Sequence, residues 1–228
     1  MLKKIAKLFP HISSRWYLTW SVFYTLILVG SIILPKSLLL DLIKVLSILG
    51  CLIYTCINFP SDRSLKLAMF TTLIADALLA FCDNLFYGVF IFFITQLLHH
   101  QRLTQNFRFT MTYGFIMLLS LFLIKTTPLH QYLEPLIALC IFYTGMILIN
   151  ISSSYKWWRQ KLTNPHALSA LSGFILFLLC DSCVALAFFT TTGILPSQLE
   201  IVFNFLAWFF YYPSQILVSN STKCATID

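Results

Sequence analysis

The sequence predicts an all-α fold, a polytopic membrane bundle of about eight transmembrane helices. Three observations carry this reading. Of 228 residues, 59% are hydrophobic and 10% charged, whereas an average globular chain carries about 25% charged residues. The apolar residues form continuous runs, most of them close to the roughly 20 residues that a membrane-crossing helix requires. Those runs do not alternate at period two, which argues against a transmembrane barrel. Eight crossings use about 160 residues and leave only short connections, so residues 1–228 read as a single transmembrane domain without a large extramembrane part.

The elements follow in order along the chain. Residues 1–15 are basic and precede an apolar run at 16–34 that lacks a small-residue cleavage pattern, so this start reads as a retained signal anchor. Pro35 and Lys36 separate that run from the second, at 38–58, and a polar stretch after Pro60 leads into the third, at 65–82. Asp83 and Asn84 are expected to cap the turn into the fourth span, at 85–101. The remaining runs cover 109–125, 131–151, 167–191 and 198–219, with Pro128, Pro165 and Pro196 among the residues that punctuate them.

The charge pattern orients these spans. With the N-terminus in the cytoplasm, the inner segments hold twelve basic residues: Lys3, Lys4, Lys7, Arg15, Arg63, Lys66, Arg102, Arg108, Lys156, Arg159, Lys161 and Lys223. The outer loops hold two, Lys36 and Lys125. This bias predicts cytoplasmic termini and an even number of crossings in a bacterial-type cell membrane. The net charge of +7 therefore reads as an orientation signal and not as a nucleic-acid surface. No GxGxxG, P-loop or HExxH string is present to suggest a nucleotide or zinc-protease site. The seven cysteines fall mostly within apolar runs and read as small buried residues, with neither a disulfide framework nor a metal site expected.

A charged side chain at mid-bilayer costs about 2.5–3.5 kcal/mol on insertion scales. Lys44, Asp76 and Asp181 are therefore the candidates for function. On the topology above they lie about 9–15 Å below the outer ends of their spans and can share one layer. Gln96, Tyr211 and Gln215 lie deeper, where they are candidates for the floor of the same cavity. Structural readings compete with each of these. Lys44 is placed to snorkel to Asp41, three residues earlier, and the two glutamines suit interhelical hydrogen bonds. His99 and His100, beside Arg102, read as solvated interface residues, and Trp16, Trp20, Trp157 and Trp158 as an aromatic belt. No repeat is apparent beyond a weak echo between ADALLAF at 75–81 and CDSCVALAF at 180–188. Two buried carboxylates near a cation suit either hydrolysis of an acid-labile bond or proton-coupled transport, and residue types alone do not separate the two.

The run ADALLAFCDNLFYGVFIFFITQLLHHQRL at 75–103 resembles the central signature of the YhhN-like membrane proteins, whose characterised members are lysoplasmalogenases. LIKVLSILG at 42–50, SGFILFLLCDSCVAL at 172–186 and FYYPSQILVSNS at 210–221 resemble further family motifs in order and placement. The resemblance implies Asp76 and Asp181 as the catalytic pair, with Lys44, Gln96, Tyr211 and Gln215 as substrate-binding positions. Departures occur at Ala75, at Cys180, at Gln96 and His99, and in the absence of a proline after Lys44. The implied activity is hydrolysis of the vinyl ether bond of a lysoplasmalogen to a fatty aldehyde and a glycerophospho-base, without metal or cofactor. The implied partners are a lysophospholipid substrate and membrane lipid, with no nucleic acid. The alternatives are a small proton-coupled transporter and a catalytically silent lipid-binding protein.

Overall fold

A computed structural model of the chain describes residues 14–34, 37–82, 84–128 and 133–222. Lys3, Lys4, Lys7, Lys36, Asp83, Lys223 and Cys224 lie outside the described residues. Eight helices run through the described residues: α1 (Ser14–Ile33), α2 (Leu38–Asn58), α3 (Arg63–Phe81), α4 (Leu85–Thr104), α5 (Phe107–Thr126), α6 (Pro135–Gln160), α7 (Pro165–Thr191) and α8 (Leu199–Ser219). Seven of them are long and apolar enough to span a membrane. The protein is an integral membrane protein built as a helical bundle. The eighth, α4, falls outside that set, and the reason lies in its position. It packs on α3, α5 and α6, and its polar residues are buried: Gln96 against α6, His100 against α5, His99 against Phe174 of α7 and Arg102 against the segment beyond α8. A helix shielded by three neighbours has little of its surface in contact with lipid.

Local chemistry explains most boundaries. Ser37, Asp62, Asn84 and Asn106 each accept a hydrogen bond from the backbone N–H three residues ahead, and Asn164 accepts from His166 N. Pro135 and Pro165 open α6 and α7, where their missing N–H is harmless. The largest departure from the expected spans is α6, which continues to Gln160 instead of stopping near 151. Its polar extension keeps Ser154 and Trp157 buried, so packing carries the helix beyond its apolar run.

The contact pattern of the helices repeats. A closed ring of six runs α2, α3, α4, α6, α7, α8 and back to α2; α1 packs outside it against α2 and α8, and α5 outside it against α6 and α4. Advancing every helix by four converts each of these contacts into another. The described helices thus form two four-helix halves with the same contact pattern, the pattern that a pseudo-twofold axis along the bundle generates. The echo between residues 75–81 and 180–188 falls on α3 and α7, which occupy equivalent places across the ring.

Close approaches tighten this ring. A Cβ on Gly173 would lie 2.8 Å from a methyl of Val218 and 3.2 Å from its backbone nitrogen, so α7 and α8 meet nearly backbone to backbone there. Pro213 interrupts α8 and leaves the carbonyl of Phe209 without its helical donor. The Tyr24 hydroxyl of α1 donates to that carbonyl at 3.1 Å, an interhelical repair of the kind lipid demands.

One end of the bundle is closed by a buried polar network. Residues 219–222, beyond or at the end of α8, are all buried. Arg102 donates to the Ser221 carbonyl and, at 3.0 Å, to its hydroxyl. Tyr54 donates to Asn220 at 3.0 Å, His166 Nδ1 lies 2.6 Å from the Asn220 carbonyl, and Thr222 donates to Asp62 at 2.9 Å. Two sequence expectations are corrected here. His99 and His100 are buried, not solvated, because α4 runs inside the bundle. Trp20 and Trp157 are core residues and not belt residues; the Trp20 ring packs 4.9 Å from that of Tyr54. The cysteine expectation holds for Cys51, Cys180 and Cys183, whereas Cys56 and Cys82 are exposed.

Candidate active site

At the other end the six ring helices enclose a cavity of about 560 Å3. Each of the six contributes lining residues, and the two outer helices contribute none. Asp76 of α3 and Asp181 of α7 face it from equivalent places in the two halves. Lys44 and Tyr211 line it as well.

Each carboxylate is held by a phenol. Tyr211 of α8 donates to Asp76 Oδ2 at 2.6 Å, and Tyr143 of α6 donates to Asp181 Oδ2 at 2.7 Å. Hydrogen bonds of this length to a carboxylate are among the stronger ones available to a protein. Both leave Oδ1 without a phenol. The two pairs share an aromatic support: Phe92 lies 6.4 Å from the Tyr143 ring and 6.3 Å from the Tyr211 ring, and Phe177 lies 6.5 and 5.8 Å from the same two. Phe92, Tyr143 and Tyr211 form the floor, and Phe177 packs against them without lining the cavity.

Lys44 stands nearer the mouth. Its ammonium lies 3.1 Å from Asp41 Oδ1 and 4.8 Å from the centroid of the Trp208 ring. Trp208 in turn meets Tyr211 edge to face at 5.1 Å. Contacts therefore run from Asp41 through Lys44, Trp208 and Tyr211 to Asp76. The cation bonds to the carboxylate at the mouth, and the deeper pair is held by phenols. The remaining wall is mostly apolar, with Leu79, Val89 and Ile137 among its members.

Gln96 and Gln215 are not part of this lining, which corrects their expected place on the floor. Asn150 of α6 donates to both the side-chain and the backbone oxygen of Gln96, each at 2.9 Å, which ties α4 to α6. Gln215 is buried beside Ser214. Sequence reasoning missed Tyr143, Phe92 and Phe177. A lone tyrosine in an apolar run gives no sign of its partner, but the interval of 38 residues from Tyr143 to Asp181 is bridged once α6 and α7 form a hairpin.

The structure thus defines a class of protein: a polytopic helical bundle that places two phenol-held carboxylates, Asp76 buried and Asp181 half-buried, in an apolar cavity open at one end. The YhhN family profile matches residues 39–222, from the start of α2 to the end of the strap beyond α8. The chain belongs to the YhhN family. Neither the curated proteins nor the solved structures include a match to this chain.

Proposed function

We propose that the protein hydrolyses the vinyl ether bond of a single-chain lipid, in the manner of a lysoplasmalogenase. The observation that carries this reading is the pair of phenol-held carboxylates, Asp76 and Asp181, facing one apolar cavity. Vinyl ether cleavage needs a proton at carbon and a negative charge for the cation that results. In the first step one carboxyl gives its proton to the vinyl carbon distal to oxygen, forming an oxocarbenium ion that faces the other carboxylate. A water then adds to that ion and yields a proton to a carboxylate. The hemiacetal collapses to an aldehyde and an alcohol, so one water is consumed and the carboxyl pair regains its starting protonation. Tyr143 and Tyr211 each hold one carboxylate oxygen and leave the other for the reaction.

The surroundings suit an amphiphile. A vinyl ether sits where headgroup meets hydrocarbon, and the carboxylates sit between a charged mouth and an apolar wall. The first turns of α2, α4 and α6 and the charged side chains Asp41, Lys44 and Glu134 ring the mouth, which suits a polar headgroup. The strap at residues 219–222 and the aromatic floor close the path beyond, which favours a blind reaction chamber over a transport route. In the orientation given by the basic residues, both termini are cytoplasmic and the mouth faces outward. Aldehyde release from a synthetic lysoplasmalogen by purified protein in detergent tests the reading. Hydrolysis needs no sealed vesicle, whereas transport does; release that is absent for every headgroup tested would refute the assignment.

A further inference from the structure

One side of the cavity differs from the rest. Lining residues on α2, α3, α4 and α8 are buried or half-buried. On α6 and α7 the same cavity is lined by exposed residues: Ile137 and Thr144 on α6, and Val184, Ala185, Phe188 and Phe189 on α7. Ile137 is 49% exposed and Val184, Phe188 and Phe189 between 41% and 44%, whereas Ala207 and Tyr211, across the cavity on α8, are each 5%. These exposed positions are not scattered. Consecutive helices in the bundle run antiparallel, so the early part of α6 faces the late part of α7. Ile137 and Thr144 lie two turns apart, about 10 Å along α6, and Val184, Ala185 and Phe188 share one stripe of α7. The wall between α6 and α7 is therefore a slot.

The chemistry of the slot selects what passes through it. Its rim is apolar except for Thr144, and Glu134 stands at its outer end. A hydrocarbon chain crosses such a rim from lipid with little change of environment, whereas a polar solute loses its hydration. Inward, the slot leads to Tyr143 and Asp181, and outward it ends beside the charged mouth. A chain in the slot with its headgroup at the mouth places the bond between them next to the carboxylates. We propose that the slot between α6 and α7 is a lateral portal through which one hydrocarbon chain enters from the bilayer. This inference rests on the single-chain lipid reading of the same site.

Two experiments test it. The first uses wild-type protein in nanodiscs and a lysophospholipid that carries a photoreactive diazirine in its chain. Labels are expected on residues 137–144 and 184–189 and should be competed away by unlabelled lysophospholipid. Labels spread over α1 and α5, with none in those two stretches, would overturn the portal. This readout does not depend on turnover, so a protein inactive on all vinyl ethers would refute the proposed reaction while the labelling still decides the portal. The second experiment narrows the slot with Ala185→Trp and, separately, Val184→Trp. Each should raise KM for a long-chain substrate about 10-fold more than for a short water-soluble vinyl ether, the scale of steric discrimination in an apolar pocket. An equal effect on both substrates in folded preparations of both variants would overturn the proposal.

Discussion

Replacing Asp76 or Asp181 by Asn tests the chemistry most directly, because the structure states what each change preserves. In both cases the phenol donates to one carboxylate oxygen, at 2.6 Å for Asp76 and 2.7 Å for Asp181. An amide oxygen accepts the same bond, so helix packing and the phenol's position survive while proton donation and negative charge are lost. The residual structural cost is the difference between a hydrogen bond to a charged and to a neutral acceptor, about 1 kcal/mol. Loss of a general acid or base lowers turnover on the order of 100-fold or more, equivalent to about 2.7 kcal/mol of transition-state stabilisation. Each single variant should show that loss in steady-state aldehyde release, with KM changed much less. The double variant should lose little more than the worse single one, since both groups act in one step. If either Asn variant were folded and turned over within a few-fold of wild type, the two-carboxylate mechanism would be wrong.

Other expected outcomes test the supporting structure. Tyr143→Phe and Tyr211→Phe should each lower turnover about 10-fold or more, as loss of a hydrogen bond to a charged group in a buried site implies; an unchanged rate for both would show that the phenols do not hold the reacting groups. Tyr24→Phe should lower stability by about 1 kcal/mol in thermal unfolding, and by less in a Pro213→Ala background, where the Phe209 carbonyl regains its helical donor. Gly173→Ala should destabilise by about 1–3 kcal/mol through overpacking against Val218, visible as a lowered melting temperature in detergent. A cysteine placed near Lys125 should react with an impermeant maleimide in intact cells and one beside Lys161 should not; the reverse pattern would invert the proposed orientation.

The sequence made the spans legible because lipid imposes a length and a composition on every crossing, and Asn84 caps α4 as expected, whereas Asn106 and Asn164 cap α5 and α7 two residues ahead of the expected runs. It was misleading at α4. His99, His100 and Arg102 look like residues seeking water, yet they are buried by neighbours whose identity depends on tertiary contacts, whereas Gln96 makes the interhelical hydrogen bond its residue type suits. The acidic pair stood out for an energetic reason, the cost of a charge in lipid, and that cost is blind to partners. It therefore gave no view of Tyr143, whose hydroxyl is attached to a ring that an apolar run accommodates without remark. Lys44 illustrates the same limit. Its nearest acid in the sequence, Asp41, is its partner in the structure at 3.1 Å, while Trp208, on which it also rests, is 164 positions away.

The repeat in helix contacts bears on how the site is built. A pseudo-twofold contact pattern places α3 and α7 at opposite sides of the ring, so an inward-facing aspartate on each brings two carboxylates to one cavity. Symmetry alone would give them identical surroundings, which serves poorly for a reaction that needs one acid and one base. The partners break that symmetry. Asp181 takes its phenol from α6, its immediate neighbour in the ring, whereas Asp76 takes its phenol from α8, which lies beyond α2. The charged contacts are unequal as well, for Lys44 and Trp208 connect to Tyr211 and thereby to Asp76. No corresponding cation lines the cavity beside Asp181 among the described residues. The exposed slot adds a third asymmetry, since it flanks Asp181 and not Asp76. The repeated architecture thus supplies the enclosure and the pair of acids, and the unpaired features of α2, α6, α7 and α8 give the two acids different environments.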